Sequence, residues 1–207
     1  MDPKYSKDIY GDKDAYYMGC PEIVSIHLAE RLSEFESAIE LCCGAGMICV
    51  QLAKKIDEVT GVDIRERRVN NARKNAKLYR VSENTKFLIG DATDEELLKK
   101  LSAEVVVLEP DWSSVGSKKD DHVSNIKSTQ PRSDRLFKLT KRYITENIIF
   151  RAPKTFSKET LRELGTCEIE NVHWNDELKF KIAYYFPELE ETTEKDIHFD
   201  PKGLLEE

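Results

Sequence analysis

From residue 21 to about residue 165 the chain alternates between two spacings of apolar side chains. Residues 21–33 (PEIVSIHLAERLS) place them three and four apart behind a proline, which predicts a helix. The short apolar run 37-SAIELCC-43 predicts a strand, and after 44-GAG-46 the helical spacing returns over roughly 46–55. The same alternation gives a strand at 57–64, a helix at 66–80 rich in Asn, Arg and Lys, and a strand at 85–90. A helix near 94–101, a strand at 104–109, a helix at 133–142, a strand at 145–153 and a helix at 157–164 follow. Two β-prone runs, 166-TCEIENVHW-174 and 178-LKFKIAYYF-186, flank a short polar turn and predict an antiparallel hairpin. Strands alternating with helices imply an α/β fold, a mostly parallel sheet flanked by helices, closed here by a C-terminal antiparallel hairpin. One domain over 21–187 is expected, with residues 1–20 as an N-terminal extension or lid and 188–207 as an acidic C-terminal tail.

Composition adjusts this picture little until the charge is localised. The chain has 207 residues and a net charge of −7, and residues 188–207 hold eight acids against two lysines. The tail therefore carries −6, leaving −1 for the body, and reads as a mobile or loosely docked extension. Within the near-neutral body, Lys118, Lys119, Arg132, Arg135, Lys138, Lys141, Arg142, Arg151 and Lys154 lie close in sequence. They form either a solvated face or a phosphate-contacting surface. No window has the ~18 apolar residues of a membrane span, and the N-terminus lacks the apolar core of a signal peptide. A cytoplasmic location is expected. The five cysteines show no CxxC spacing; Cys42, Cys43 and Cys49 sit in apolar elements and read as reduced packing residues.

Candidate chemistry gathers at the carboxyl ends of the strands, where open parallel sheets bind ligands. In 40-ELCCGAG-46, Gly44 and Gly46 permit a tight turn and close backbone approach before a helix. Asp63 ends the next strand, about twenty residues on, where an acid can accept from both hydroxyls of a ribose. Asp91 follows the third strand and can accept from an exocyclic amine. A dinucleotide fold calls for a third glycine where this chain has Cys49, and Glu40 would repel a pyrophosphate. Both features favour a cationic cofactor, S-adenosylmethionine. The fourth strand ends in 108-LEPDW-112, which supplies acceptors in Glu109 and the Pro110 carbonyl, a rigid turn, and Trp112 as a platform for stacking a base. The competing reading makes Trp112 a cap on the core and Glu109 and Asp111 solvated acids. Tyr16 and Tyr17 suit either a lid or ordinary packing; His122 and His173 read as structural or surface residues.

With these segments in view, the chain resembles the class I S-adenosylmethionine-dependent methyltransferases, and more narrowly the trimethylguanosine synthase (RNA cap guanine-N2 methyltransferase) family. The resemblance runs over 21–31, 40–46, 61–79, 90–92, 108–112, 139–153 and 168–186. It implies a Rossmann-like fold and S-adenosyl-L-methionine as cofactor, bound by Glu40, Gly44, Gly46, Asp63 with its neighbour Ile64, and Asp91 with its neighbour Ala92. It implies no metal. It places Glu109, Pro110 and Trp112 in the catalytic loop, RNA as the substrate, and the exocyclic N2 amine of a guanine as the acceptor. Two departures stand out. The family's loop reads Ser-Pro-Pro-Trp followed by glycines, whereas this chain has Glu109-Pro110-Asp111-Trp112-Ser113-Ser114; and Met47 replaces a usual glycine. The altered loop keeps two other functions open: a methyltransferase for a small molecule or protein, and a non-catalytic member that binds cofactor or RNA.

Overall fold

The computed structural model describes residues 4–112 and 123–200. Ser113, Ser114, Lys118, Lys119 and His122 lie outside the described residues. The chain divides into two compact units, the first running to Ala92 and the second from Thr93 to Phe199.

In the first unit the elements are α1 (Lys13–Met18), α2 (Glu22–Arg31), β1 (Ser37–Leu41), α3 (Met47–Leu52), β2 (Glu58–Asp63), α4 (Glu66–Leu78) and β3 (Thr85–Ile89). The strands run parallel in the order β3-β2-β1, with Leu41 opposite Val62 and Val62 opposite Leu88. β1 leads into α3 and β2 into α4, and both helices pack on the sheet. α4 shows why it lies as it does: Val69, Ala72, Asn75 and Ala76 form its buried face, and apart from Leu78 the rest of the helix is polar or charged. Small residues on that face let it approach closely, and a Cβ on Gly46 would meet the Ala72 Cβ at 2.8 Å. Residues 4–20, expected as an extension, are pinned to this unit. Tyr5 is buried, and Ser6 donates through both its N–H and its hydroxyl to the carboxylate of buried Glu22, at 2.6 and 2.9 Å. α1 was not foreseen; Asp12 caps it by accepting from the Ala15 N–H at 2.8 Å.

The second unit contains α5 (Glu95–Leu98), β4 (Val105–Leu108), α6 (Ser133–Tyr143), β5 (Ile148–Pro153), α7 (Lys158–Arg162), β6 (Glu168–Trp174), β7 (Glu177–Tyr185) and β8 (Thr193–Phe199). β4 and β5 are fully buried and parallel, joined through α6. The expected hairpin is present: β7 runs antiparallel to both β5 and β6. Its turn places Asn175 and Asp176 at φ of 51° and 60°, left-handed backbone that Asn and Asp tolerate better than most residues.

The tail after Pro187 departs from expectation. Residues 193–199 form β8, which pairs in parallel with β6 from Glu168↔Thr193 to Trp174↔Phe199. No apolar alternation announces this strand, because none of its side chains is buried. It is held by the main-chain ladder and by cross-strand charges: Lys181–Glu194 at 3.0 Å, Lys195–Glu168 at 2.8 Å and His173–Asp196 at 3.1 Å. Of the acids that read as a solvated run, Glu194 thus pairs with Lys181 on β7, and Asp196 hydrogen-bonds to His173 on β6. Among the described residues no helix is long and apolar enough to cross a membrane.

Candidate functional site

The glycine turn of the first unit is built from left-handed backbone. Cys42, Gly44 and Gly46 have φ of 68°, 53° and 75°. The two glycines serve different ends. A Cβ on Gly46 would strike α4 and Phe87, whereas one on Gly44 would meet nothing within 4 Å. Gly46 is there for packing; Gly44 leaves open space beside the main chain, which a ligand can approach.

Asp63 secures this turn. Its Oδ2 accepts from the Gly44 N–H at 2.9 Å and its Oδ1 from the Arg65 N–H at 2.8 Å. Each carboxylate oxygen has a further lone pair, so both bonds are compatible with acceptance from ribose hydroxyls. Ile64, next along, is 63% exposed, an uncommon setting for a branched apolar side chain and an apolar surface suited to a purine ring. Asp91 is exposed and Ala92 buried at the end of β3. Glu40 is only 2% exposed, and its Oε2 accepts from the Cys49 N–H at 2.9 Å. It therefore ties β1 to the first turn of α3, where unsatisfied N–H groups favour an anion.

Two cysteines sit in the same turn. The hydrogen bond from Cys49 favours the Cys43 thiolate, but burial and the carboxylates of Glu40 and Asp63 outweigh it and raise the thiol above its ordinary range. Burial, first of all, pushes Cys49 well above its own. Neither is a nucleophile near neutral pH. The packing role expected for both holds; Cys42 is half-buried.

Asn75 was not singled out from sequence. This buried amide accepts from the Tyr10 N–H at 2.8 Å and donates to the Tyr10 carbonyl and to the Ala45 carbonyl, both at 2.9 Å. It joins the N-terminal segment to the glycine turn. The signal was available: an asparagine stands on the stripe formed by Val69, Ala72 and Ala76, where a polar side chain needs partners.

The 109–112 loop belongs to the second unit. Glu109 continues β4 and lies beside Arg151 on β5, as the Leu108↔Phe150 register requires. The Arg151 Nε donates to both Glu109 oxygens, at 2.6 and 2.7 Å, and its Nη2 donates to Oε2. Both side chains are buried, at 8% and 9% exposure. Arg151 was grouped from sequence with the surface cations, and it leaves that group. Several of the others are balanced by acids: Arg132 by Asp134 at 2.7 Å, Lys141 by Glu146 at 3.4 Å and Lys154 by Glu177 at 3.7 Å. The Arg151 guanidinium also lies over Trp112, 4.4 Å from its ring centre, and over Phe180 at 5.0 Å. Pro110 is buried, and Asp111 exchanges two main-chain hydrogen bonds with Gln130, at 2.7 and 2.9 Å. The Val123 N–H donates to the Trp112 carbonyl at 3.2 Å. The loop is thus anchored at Glu109, Asp111 and Trp112.

The profile of the RNA cap guanine-N2 methyltransferases matches residues 35–188. The chain belongs to that family. Its class I fold is shared with solved structures of methyltransferases. A Porphyromonas gingivalis protein assigned as a methyltransferase superposes on 85% of this chain and 43% of its own length, with TM-score 0.68 and 14% identity. A Clostridium thermocellum protein assigned as an rRNA methylase covers 77% of this chain and 95% of its own length, with TM-score 0.54 and 10% identity. An uncharacterized RNA methyltransferase of Geobacter sulfurreducens is 41% identical over 78 residues, 36% of this chain. The tRNA (uracil-5-)-methyltransferase homolog A of Mus musculus is 35% identical over 92 residues, 42% of this chain. These matches span only 16% and 15% of those two relatives.

Proposed function

We propose that this family member transfers a methyl group from S-adenosylmethionine to the exocyclic N2 amine of a guanine in RNA. The observation that carries the reading is the family match over 35–188, which takes in both the glycine turn and the 109–112 loop. The first unit's residues fit the cofactor: Gly44 offers open main chain, Asp63 spare acceptor capacity, and Ile64 an exposed apolar side chain. The bound cofactor supplies an electrophilic methyl group on a sulfonium. The chain supplies alignment and charge placement, the main contributions a protein makes to a direct displacement. In this reading Asp63 orients the ribose, Asp91 accepts from the adenine amine, and Glu40 shapes the turn while keeping a negative charge near a cation. The Pro110 carbonyl and Glu109 accept from the guanine amine, which localises its lone pair for attack. Trp112 stacks the base, an interaction worth about 1–3 kcal/mol. Arg151 holds the carboxylate and one face of the indole in place.

The test is transfer of labelled methyl from S-adenosylmethionine into RNA, protein and small-molecule fractions, followed by nucleoside digestion. N2-methylguanosine is the expected product, and Trp112→Ala should lower its yield about tenfold or more while cofactor affinity holds. Label in protein or metabolites alone would replace the RNA reading; no label in any fraction would favour a binding-only member.

A further inference from the structure

We propose that a groove between residues 9–11 and helix α4 binds single-stranded RNA. This rests on the RNA methyltransferase reading and gives that substrate a second contact surface. The groove is open to solvent, with a volume of about 640 Å³, and none of the glycine-turn residues lines it. Its floor is a helical stripe, Arg67, Asn70, Asn71 and Lys74, at spacings of three, four and seven. Arg67 and Lys74 lie about 10 Å apart along the axis. A strand laid along α4 would meet a cation at each end and two amides between them. Cations take phosphates, while amides reach sugars and base edges.

Ile9, Tyr10 and Gly11 form the opposite wall. The Tyr10 side chain is 49% exposed, although its main chain is fixed at both polar atoms by Asn75. An exposed ring on a fixed backbone is a stacking platform with little ordering cost. Lys74 Nζ stands 5.4 Å from the ring centre, so cation and aromatic face already lie together. A solvated face is the ordinary explanation for charged helix residues, but charge balance argues against it here. Residues 65–77 carry six cations and one acid in a chain of net charge −7. Glu66 lines the groove, Asp8 and Asp14 stand in sequence beside its 9–11 wall, and the carboxyl of Asp12 is held below its ordinary range by the Ala15 N–H and then by Arg68, Arg67 and Arg65.

The test uses the full chain and a short fluorescein-labelled single-stranded RNA, with binding followed across salt concentrations. Arg67→Glu with Lys74→Glu should weaken binding at least tenfold and flatten the salt slope by about two, one for each lost phosphate contact. Arg67→Lys with Lys74→Arg should restore both. Tyr10→Ala should cost about tenfold with the slope unchanged, because stacking releases no counterions. Calorimetry with S-adenosylhomocysteine should show the same affinity in wild type and both charge variants. If wild type binds and methylates RNA while the charge-reversed variant keeps its affinity and slope, the groove is a solvated face and the proposal falls, with the RNA reading intact. If wild type labels only protein or small molecules, the RNA reading fails and the groove proposal goes with it.

Discussion

Glu109 and Arg151 lie 42 positions apart, yet each fixes the other's state. Charged groups this deeply placed gain from pairing only while both are present. Glu109→Ala removes the carboxylate from a buried guanidinium and should destabilise the protein by about 3–5 kcal/mol. The double variant Glu109→Leu, Arg151→Met should recover most of that loss, since a well-packed apolar pair often replaces an ion pair at little net cost. Urea unfolding of the three proteins reads this directly; equal destabilisation in the single and double variants would contradict it. From sequence, Glu109 reads as an acceptor and Arg151 as one of several surface cations. Their pairing depends on the β4–β5 register, which no local pattern encodes. Gly44, Gly46 and Asp63 were legible because a tight turn and a strand end are local features.

Elements were legible wherever an apolar face had to be buried. β1 to β7 and the longer helices are such cases, with boundaries shifted by a few residues. α1 and β8 were not, because α1 buries only Ala15 and β8 buries no side chain. β8 depends on charge, which predicts its response to acid. Hydrogen bonding from His173 holds the Asp196 carboxyl below its ordinary range. At Glu194 burial works the other way, but the Lys181 ammonium and Asn171 prevail and lower it too. Carboxyls depressed on folding contribute stability that is present above their unfolded values, about 4, and lost as pH falls through the lower folded values. Amide exchange of residues 193–199, corrected for its intrinsic rate, should therefore lose protection below about pH 4, before β5 and β7 do. Uniform loss across the second unit would show that β8 does not open separately.

For the whole molecule, alternation of strand and helix conveyed the α/β class, while net charge conceals how the charge is distributed. Acids are dense near the C-terminus and cations along α4, so a pI near 5.3 averages segments of opposite charge. The proposed cofactor site makes a global prediction by mass action. S-adenosylhomocysteine at a hundred times its Kd should add about 2.7 kcal/mol to the unfolding free energy. Asp63→Ala should remove much of that gain at the same ligand concentration and also lower the unliganded stability, because the Gly44 and Arg65 N–H groups lose their acceptor. Thermal melts with and without ligand separate the two effects; a ligand-induced shift equal to wild type would take Asp63 out of the cofactor site.

Asn75 holds a main-chain pair at Tyr10 on one side and the Ala45 carbonyl on the other. One amide group cannot serve both unless segments remote in sequence keep a fixed separation. The segment around Tyr10 thus acts as part of the glycine turn's scaffold, and its fraying is coupled to the turn's loosening. By reciprocity, whatever rigidifies the turn also quiets the N-terminal segment, and a change in either is felt at the other without any direct touch between them.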